Sequence, residues 1–344
     1  MTSIDLFDYT LPDNLIAQHP ASDRSSSRLM LLNRQDGSIG HSGFSSFPDM
    51  LNHGDTLVLN NTKVFPARLM AKRMSGAKVE ILLIRQHDGS TWDAYVGGLK
   101  KIKPDETLLI GDGRVKLLEK LEGGAARFHF ESEAEVERLI ANFGLVPLPP
   151  YIKRDSGQSR QGDRERYQTV YARSKGSCAA PTAGLHFTDN ILKQIIAKDI
   201  QIVEITLHVG PGTFKPVKSD TIEDHVMDRE YYEISDAAAH AINDAKNAGR
   251  RIIAVGSTVT RTLESKAQEN GLIAPGAGST SLFITPGFKF RMADALLTNF
   301  HLPRSTLLIL VSAFAGRGHV LKAYQEAIRE RYRFYSYGDA MFIK

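Results

Sequence analysis

The stretch Arg250-Arg-Ile-Ile-Ala-Val-Gly-Ser-Thr-Val-Thr-Arg-Thr-Leu263 runs from a short apolar segment straight into a helical pattern. It predicts a strand over Arg250–Val255, a turn at the glycine and a helix over Val259–Glu269. The same alternation continues outward on both sides. Further helices are predicted over Asp189–Lys198, Asp236–Ala248 and Val320–Arg331, strands over Gln201–Leu207 and Ser281–Thr285, and a buried element over Ser305–Ala315. Strands that alternate with helices predict an α/β layer.

The first half of the chain has a different pattern. Short strand-like segments separated by glycine-rich breaks, with no long helix between them, extend from Arg68 to Phe130. The predicted strands are Lys78–Ile84, Thr91–Val96, Thr107–Ile110, Arg114–Leu118 and Ala125–Phe130. This pattern is typical of a small barrel or a sandwich. The run Leu145-Val-Pro-Leu-Pro-Pro-Tyr151 then stops regular structure and predicts a domain junction.

The composition is that of an ordinary globular protein, with 344 residues, 42% of them apolar and 24% charged. The single cysteine, Cys178, excludes an intrachain disulfide framework and a multi-cysteine zinc site, which favours a cytoplasmic location. The longest apolar run, Thr306–Ala315, is far shorter than the roughly 20 residues of a membrane span. We therefore expect no membrane partner.

The segment from Tyr151 to Lys175 is basic. It contains seven basic and three acidic residues, so its net charge of +4 equals that of the whole chain. Basic side chains with interleaved tyrosines favour a nucleic acid as partner, although a solvated loop that is basic by chance has the same composition. The candidate RNA-binding residues are Lys153, Arg154, Arg164, Arg166 and Tyr167.

Two loops carry a histidine among glycine, proline and threonine. They are Ala179-Ala-Pro-Thr-Ala-Gly-Leu-His-Phe187 and Thr206-Leu-His-Val-Gly-Pro-Gly-Thr-Phe214, and Glu223-Asp-His225 follows them. Their composition suits a site for a small polar ligand, with imidazoles available for acid–base work. The spacing matches no metal-binding motif, so no metal is expected. A structural role remains the alternative for each histidine taken alone.

Three further polar segments are candidates for ligand binding. The Gly256-Ser-Thr258 turn offers backbone N–H groups at a helix start to an anion, although a plain N-cap explains it equally well. Asn299 and His301 are placed to bond a base edge or a ribose, or else to satisfy their own loop. Asn60, Asn61 and Arg68 follow a predicted strand and suit either a polar ligand or a turn.

Taken together, these segments resemble the S-adenosylmethionine:tRNA ribosyltransferase-isomerases of queuosine biosynthesis. The resemblance extends from one end of the chain to the other. It rests on Phe7–Pro12, Asn60–Leu69, Pro147–Ile152, Tyr167–Tyr171, Ala179–Phe187, Leu207–Phe214, Glu223–His225, Arg261–Ser265, Thr298–Pro303 and Tyr332–Phe342.

The resemblance implies both a fold and a reaction. The fold is an α/β main domain, residues 1–65 and 146–344, with an inserted small β-barrel domain, residues 66–145. S-adenosylmethionine donates its ribosyl group, which is isomerised onto 7-aminomethyl-7-deazaguanine at the tRNA wobble position. The products are epoxyqueuosine-tRNA, adenine and methionine, and no cofactor is implied beyond S-adenosylmethionine itself.

This chemistry needs proton transfers and places for the carboxylate, ribose and bases. We predict that His186, His208, His225 and Glu223 are catalytic. The predicted substrate-binding residues are Asn60, Asn61, Arg68, Pro181, Thr182, Gly184, Gly210, Gly212, Thr213, Phe214, Thr258, Arg261, Glu264, Asn299 and His301. Arg261 suits the methionine carboxylate, and Glu264 suits the sulfonium.

The chain departs from the family pattern at Asp228, at Ser281 and in Thr258-Val-Thr-Arg261, where members commonly have Thr-Ser-Val-Arg. Members commonly have histidine in place of Asp228 and an acidic residue in place of Ser281, so neither position is assigned a catalytic role. The alternatives are a methyltransferase that uses the same cosubstrate on RNA and a non-catalytic tRNA-binding protein. We expect the chain to act as a monomer on tRNA.

Overall fold

The computed structural model describes residues 1–154, 160–214 and 217–344, with the backbone alone at 160, 161 and 214. Its strands are β1 (Arg28–Leu32), β2 (Ile39–Gly43), β3 (Thr56–Asn60), β4 (Thr62–Val64), β5 (Arg68–Lys72), β6 (Lys78–Gln86), β7 (Thr91–Val96), β8 (Thr107–Ile110), β9 (Gly113–Lys120), β10 (Ala125–Phe130), β11 (Ser174–Ser177), β12 (Gln201–Leu207), β13 (Glu230–Ile234), β14 (Ile252–Val255), β15 (Gly276–Thr280), β16 (Ala295–Asn299) and β17 (Ala340–Ile343). Its α-helices are α1 (Glu133–Phe143), α2 (Arg160–Arg166), α3 (Asp189–Ile196), α4 (Asp236–Asn247), α5 (Ser257–Lys266), α6 (Thr306–Ala315) and α7 (Arg317–Arg329).

A mixed sheet forms the centre of the α/β unit. Among the described residues it has nine strands in the order β15-β13-β12-β3-β14-β16-β17-β1-β2. The four strands β12, β3, β14 and β16 are parallel, so their carboxyl ends lie along one edge. β3, β14 and β16 are buried at every position, as expected for parallel strands covered on both faces.

Two helices of this unit begin directly after a serine cap. Ser235 and Ser305 accept hydrogen bonds from the third residue of α4 and of α6. The predicted apolar element at 305–315 is the fully packed helix α6, with eight of its ten residues buried. The prediction of a strand over Ser281–Thr285 is wrong. The strand in this region is β15, which ends directly before Ser281 and pairs with β13.

A closed six-stranded barrel forms the second unit. Its strand order is β10-β7-β6-β5-β8-β9, and each neighbouring pair for which a register is defined is antiparallel. The predicted strands Thr91–Val96, Thr107–Ile110 and Ala125–Phe130 match β7, β8 and β10 residue for residue. Closure of the barrel removes the exposed sheet edges that short strands otherwise leave.

The chain divides into two compact units. The first contains Met1–Lys63, Pro149–Asp155 and Gln168–Lys344, and the second contains Val64–Leu148 and Ser156–Tyr167. The described residues 160–167 thus group with the barrel, whereas the predicted boundaries assign them to the α/β domain. Within the described residues, no single helix is long and apolar enough to cross a membrane. Only α6 and α7 taken together have the necessary length and composition, and these two helices meet at a bend of 115°.

Candidate active site

Three neighbouring cavities open at the edge where the parallel strands end. The acidic cavity, of about 400 Å³, is lined by Gly212, Thr213, Lys218, Ser219, Asp224, His225, Val226, Met227, Asp228, Glu230, Arg261 and Thr306. The small helix-start cleft is lined by Ala180, Pro181, Thr182, Ala183, Val209, Thr213, Gly256, Ser257, Thr258, Thr298, His301 and Leu307. The small aromatic cleft is lined by Tyr151, Thr182, Thr213, Asn299, Phe300, His301, Leu302, Ser305, Leu307, Tyr335 and Ser336. Because Thr213 lines all three, they lie next to one another, and together they form the candidate site.

A buried ion pair forms one wall of the acidic cavity. Arg261 Nη1 lies 2.5 Å from Glu230 Oε2, and both side chains are less than 5% exposed. Glu230 Oε1 accepts hydrogen bonds from the Gly210 amide and the Thr213 hydroxyl. Arg261 Nη2 is buried and has no hydrogen-bond partner among the described residues. Arg261 therefore lines the cavity with one guanidinium nitrogen unbonded among the described residues, and a guanidinium suits a carboxylate.

His225 is the predicted catalytic histidine that lines the acidic cavity. It is half-buried, and its ring packs edge-on against Phe283 with the ring centres 5.3 Å apart. Burial lowers the pKa of His225, and the Asp228 carboxylate partly offsets this by raising it. An imidazole that is mostly neutral near pH 7 and next to a cavity is suited to accept a proton.

His186 has a different environment from the one predicted. It is buried, with its Nδ1 2.7 Å from Ser27 Oγ and its Nε2 3.2 Å from Asn299 Nδ2. Burial, assisted by Arg333 and Arg24, lowers its pKa to about 3. Since it lines none of the three cavities as described, it is not placed for direct proton transfer.

The residues from Pro181 to Thr213 that were predicted to bind substrate separate into two groups. Pro181, Thr182, Gly212 and Thr213 line the cavities. Gly184 instead permits close packing, since a Cβ there would lie 2.1 Å from the Tyr171 hydroxyl. Gly210 contributes its amide to Glu230. The side chain of Phe214 lies outside the described residues.

The start of α5 matches the predicted anion site in one respect. Its N-cap is Gly256, at φ 91°, and no side chain caps the helix, so the plain serine or threonine cap is not used here. Thr258 lines the helix-start cleft and accepts a hydrogen bond from Asn60 Nδ2. His301 lines the same cleft, and burial lowers its pKa to about 3.

Several predicted catalytic and binding residues are engaged elsewhere. Asn60 and Asn61 bond the ends of β3 and β12, and Glu264 accepts three backbone N–H groups of residues 291–293. Glu223 binds the Thr2 amide, and His208 bonds Thr62 and stacks on Tyr231. Arg68 belongs to the barrel unit and pairs with Glu80. These contacts are structural, and none of the described cavity linings includes these residues.

The predicted RNA-binding residues also differ in their environments. Lys153 is exposed, whereas Arg154 donates to the Gln18 carbonyl. Arg164 donates to the carbonyls of Ala141 and Gly144 at the end of α1, and Arg166 is half-buried in α2. Tyr167 is fully buried, so it is not accessible to RNA in this structure, contrary to its prediction as an RNA-binding residue.

Glu230 is the main residue that the sequence reasoning missed. It is the first residue of β13, whose residues alternate between buried and exposed. The sequence does contain a signal for it. Glu230 has the same alternation as the inward-facing Tyr232 and Ile234, and a carboxylate at a buried position requires a partner.

The fold and the site define a two-unit protein with a ligand-sized, charged cavity at the carboxyl edge of an α/β sheet. A family model described as a queuosine biosynthesis protein matches residues 4–343. S-adenosylmethionine:tRNA ribosyltransferase-isomerases from Desulfitobacterium hafniense and Macrococcus caseolyticus are 50% and 48% identical, over 98% and 99% of both chains. The crystal structure of S-adenosylmethionine tRNA ribosyltransferase from Thermotoga maritima is 37% identical, covers 98% of this chain and 100% of its own, and gives a TM-score of 0.57.

The chain therefore belongs to the S-adenosylmethionine:tRNA ribosyltransferase-isomerase family. The resemblance read from the sequence is confirmed, as is the fold of an α/β unit with a small barrel. Membership places the chain among the transferase-isomerases and in queuosine biosynthesis.

Proposed function

We propose that this chain transfers and isomerises the ribosyl group of S-adenosylmethionine onto 7-aminomethyl-7-deazaguanine at the wobble position of tRNA. The sulfonium acidifies the adjacent ribosyl carbon, so a base removes a proton and starts an elimination. Adenine leaves, the neutral amine of the deazaguanine attacks the sugar, and methionine departs as the epoxide closes. The products are epoxyqueuosine-tRNA, adenine and methionine.

The observation that carries this proposal is Arg261 in the wall of a cavity rich in carboxylates, with one guanidinium nitrogen unbonded among the described residues. Arg261 is our candidate to bind the methionine carboxylate, since a buried guanidinium nitrogen without a partner costs free energy until an anion binds it. Asp224 and Asp228, in the same lining, offer negative charge to the sulfonium. His225 is the candidate for proton transfer at this cavity.

The tRNA base must leave the anticodon stack to reach such a cavity, which enzymes acting on bases achieve by flipping the nucleotide. We infer that the basic segment around Lys153 and Arg154 holds backbone phosphates during this step. The chain acts as a monomer, and it uses no cofactor beyond S-adenosylmethionine, which is itself consumed. Full activity in excess EDTA and a monomeric mass in solution are the expected tests.

Product analysis tests the proposed reaction. The purified protein is incubated with S-adenosylmethionine and tRNA carrying 7-aminomethyl-7-deazaguanine, and adenine and methionine are expected in equal amounts. Release of S-adenosylhomocysteine would instead identify a methyltransferase. Tight tRNA binding without any turnover would identify a non-catalytic tRNA-binding protein. Either result would overturn the proposal.

A matched pair of histidine variants tests the site. His225→Ala is expected to lower the rate by at least about 10²-fold, the usual contribution of a positioned acid or base. His208→Ala serves as control, because His208 bonds Thr62 and stacks on Tyr231 outside the cavity linings. Equal losses in both variants would remove His225 from the mechanism.

A further inference from the structure

Three cations lie in one row across the outer face of the barrel. Lys78 of β6 is directly opposite Lys72 of β5, and Lys72 is opposite Leu109 of β8. Leu109 is in turn opposite Arg114 of β9. The three charged residues are exposed, and each has a buried neighbour along its strand, so all three point outward. We refer to Lys78, Lys72 and Arg114 as the basic row.

The basic row is unfavourable for the barrel taken alone. Like charges directly opposite each other on neighbouring strands destabilise a sheet, and Lys72 faces Lys78 in this way. Across the described residues of the chain, no carboxylate forms an ion pair with any member of the row. A bound polyanion would relieve this repulsion.

The carboxylates near the basic row in sequence or register are engaged with other cations. The pairs are Arg68–Glu80 at 3.1 Å, Arg73–Glu106 at 2.6 Å, Lys116–Asp105 at 2.8 Å and Arg138–Asp112 at 2.9 Å. The hydrogen bonds from Arg73 and Arg138 lower the pKa of Glu106 and of Asp112, so both stay ionised and bound to their own partners. The positive charge of the row is therefore left uncompensated.

A basic loop ends beside the same strand. The loop 97–103, between β7 and β8, carries Lys100, Lys101 and Lys103, and all three are exposed. The Lys103 amide donates to Glu106 Oε2 at 2.9 Å, and the Glu106 carboxylate also binds Arg73, the residue after the row's β5 lysine. The loop therefore brings further positive charge to the end of β5.

Composition alone conceals this surface. The segment 64–148 contains thirteen lysines and arginines and twelve acidic residues, so it is nearly neutral. Its unpaired acids include Glu131, Glu133 and Glu137, which lie in or just before α1, are exposed and form no ion pair among the described residues. Positive and negative charge are thus separated on the barrel unit, and a basic stripe of this kind attracts polyanions.

We propose that the basic row of the barrel binds the phosphate backbone of RNA. Neighbouring strands are 4.7–4.9 Å apart, so four of them place the ends of the row roughly 14 Å from each other. That length matches a series of phosphates rather than one small anion. Three cations without an aromatic side chain between them position a backbone and read no bases. The proposal rests on the proposed function for the identity of the RNA, which is tRNA.

The salt dependence of tRNA binding tests this. The whole protein is titrated with a tRNA transcript at several salt concentrations, and the slope of log K against log[salt] is measured. Each phosphate contact contributes about 0.9 to this slope. The triple variant Lys72→Gln, Lys78→Gln, Arg114→Gln is therefore expected to reduce the slope by roughly 2 to 3 and to weaken binding at least about tenfold near physiological salt.

Two controls separate the row from net charge and from folding. The triple variant Lys193→Gln, Arg317→Gln, Lys322→Gln removes the same charge from exposed positions of the α/β unit, and its slope is expected to change by less than about 0.5. The double variant Lys72→Arg, Lys78→Arg keeps the charge and is expected to keep the wild-type slope.

Melting temperatures provide a readout that a structural role would move in the opposite direction. Loss of the row relieves the repulsion between Lys72 and Lys78, so its triple variant is expected to melt at or above the wild-type temperature. A clear fall in melting temperature would show that the row serves the barrel fold, and would overturn the inference.

The outcomes also separate this inference from the proposed reaction. If the wild type binds tRNA and the row variant has the same slope and dissociation constant as the control triple, the inference is wrong and the reaction is untouched. If the slope depends on the row but no adenine is released from S-adenosylmethionine, only the proposed reaction fails. A wild type that binds no tRNA contradicts both. Binding to phosphatidylserine vesicles that the row variant loses, with tRNA binding unchanged, would assign the row to a lipid surface and overturn the inference.

Discussion

Glu230 and Arg261 show how a single buried pair can hold a site together. Glu230 joins the Arg261 guanidinium to the Gly210 amide and the Thr213 hydroxyl, so it fixes both a wall of the acidic cavity and the loop that all three cavities share. An ion pair of this kind gives little net stability compared with apolar residues, but removal of one partner leaves a buried charge. Its value here is the placement of Arg261 and Thr213.

We expect Glu230→Gln to lower the free energy of unfolding by about 3–5 kcal/mol, because Arg261 would remain buried without its counter-charge. Urea denaturation followed by circular dichroism measures the change. The control is Glu330→Gln at an exposed pair with Arg329, where a loss of less than about 1 kcal/mol is expected. Similar losses in the two variants would show that the Glu230 pair is not effectively buried.

Asp228 is expected to set the working pH of His225. Its carboxylate raises the pKa of His225 by favouring the charged imidazole, so Asp228→Asn must move that pKa downward. If His225 works as a base, the acidic limb of kcat/KM against pH shifts to lower pH in this variant. The groups that share the cavity with it are Lys218, Asp224, Glu230 and Arg261.

The measurement is a pH–rate profile for the wild type, for Asp228→Asn and for Asp224→Asn, with the His225 ring titrated by NMR. Asp224 is the matched control, since its Oδ2 accepts from the Thr221 hydroxyl and it does not contribute to the shift of the His225 pKa. A limb that moves upward, or one that stays in place while the NMR pKa falls, would exclude His225 as the base.

For single residues, the sequence predicted which loops form the site better than it predicted the role of each residue in them. Thr213, His225 and Asn299 were expected at a ligand site, and they line its cavities. His208 and Glu264 were expected there too, but both side chains bond the scaffold. Loop composition indicates that a segment is polar, whereas the direction and burial of a side chain depend on strands distant in the sequence.

Helix α5 follows strand β14 and contributes residues to two of the cavities. Its N-terminal cap is a glycine with positive φ, so the backbone turns from β14 into the helix without a side chain over the helix-start cleft. Arg261, one turn further on, lines the acidic cavity. The glycine of the Gly-Ser-Thr sequence therefore permits the backbone turn, and this turn leaves the N–H groups at the helix start without a side-chain cap.

We expect Gly256→Ala to destabilise the protein by about 1–3 kcal/mol, because φ 91° is strained for any residue with a Cβ. Steric contact contributes little, since the nearest atom to that Cβ would be the Ala183 Cβ at 3.6 Å. Gly318→Ala in α7 is the control, with open space around the new Cβ and an expected gain of about 0.5 kcal/mol. Thermal unfolding measures both, and a neutral Gly256→Ala would refute the role of φ.

Elements with strong local signals were predicted well, and those made by pairing were not. The helix predicted over Asp236–Ala248 is observed as α4, Asp236–Asn247. β15 has the sequence Gly-Ala-Gly-Ser-Thr, which has low strand propensity, and forms a strand only because β13 pairs with it. The apolar run Ser281–Thr285 has the stronger local strand signal, but the strand forms at β15 because β13 pairs with those residues.

In the whole molecule, the basic residues of the segment Tyr151–Lys175 are divided between the two units. The basic segment carries an excess equal to that of the entire chain, but its members belong to both units. Lys153 and Arg154 belong to the α/β unit, and Arg164 and Arg166 to the barrel unit. Sequence alone treats them as one patch, although Arg164 is already engaged at the end of α1.

These environments predict different results for two single substitutions. Lys153 is exposed, so Lys153→Ala is expected to remove about one phosphate contact and reduce the slope of log K against log[salt] for tRNA binding by roughly 0.9. Arg164→Ala is expected to leave that slope almost unchanged and instead to loosen the end of α1, because its guanidinium donates to the Gly144 carbonyl at 2.8 Å. Filter binding of tRNA at several salt concentrations gives the slopes, and hydrogen exchange at residues 141–144 reports the helix end. If Arg164→Ala reduced the slope as much as Lys153→Ala while exchange stayed the same, Arg164 would belong to the RNA-binding surface, and its bonds to α1 would be incidental.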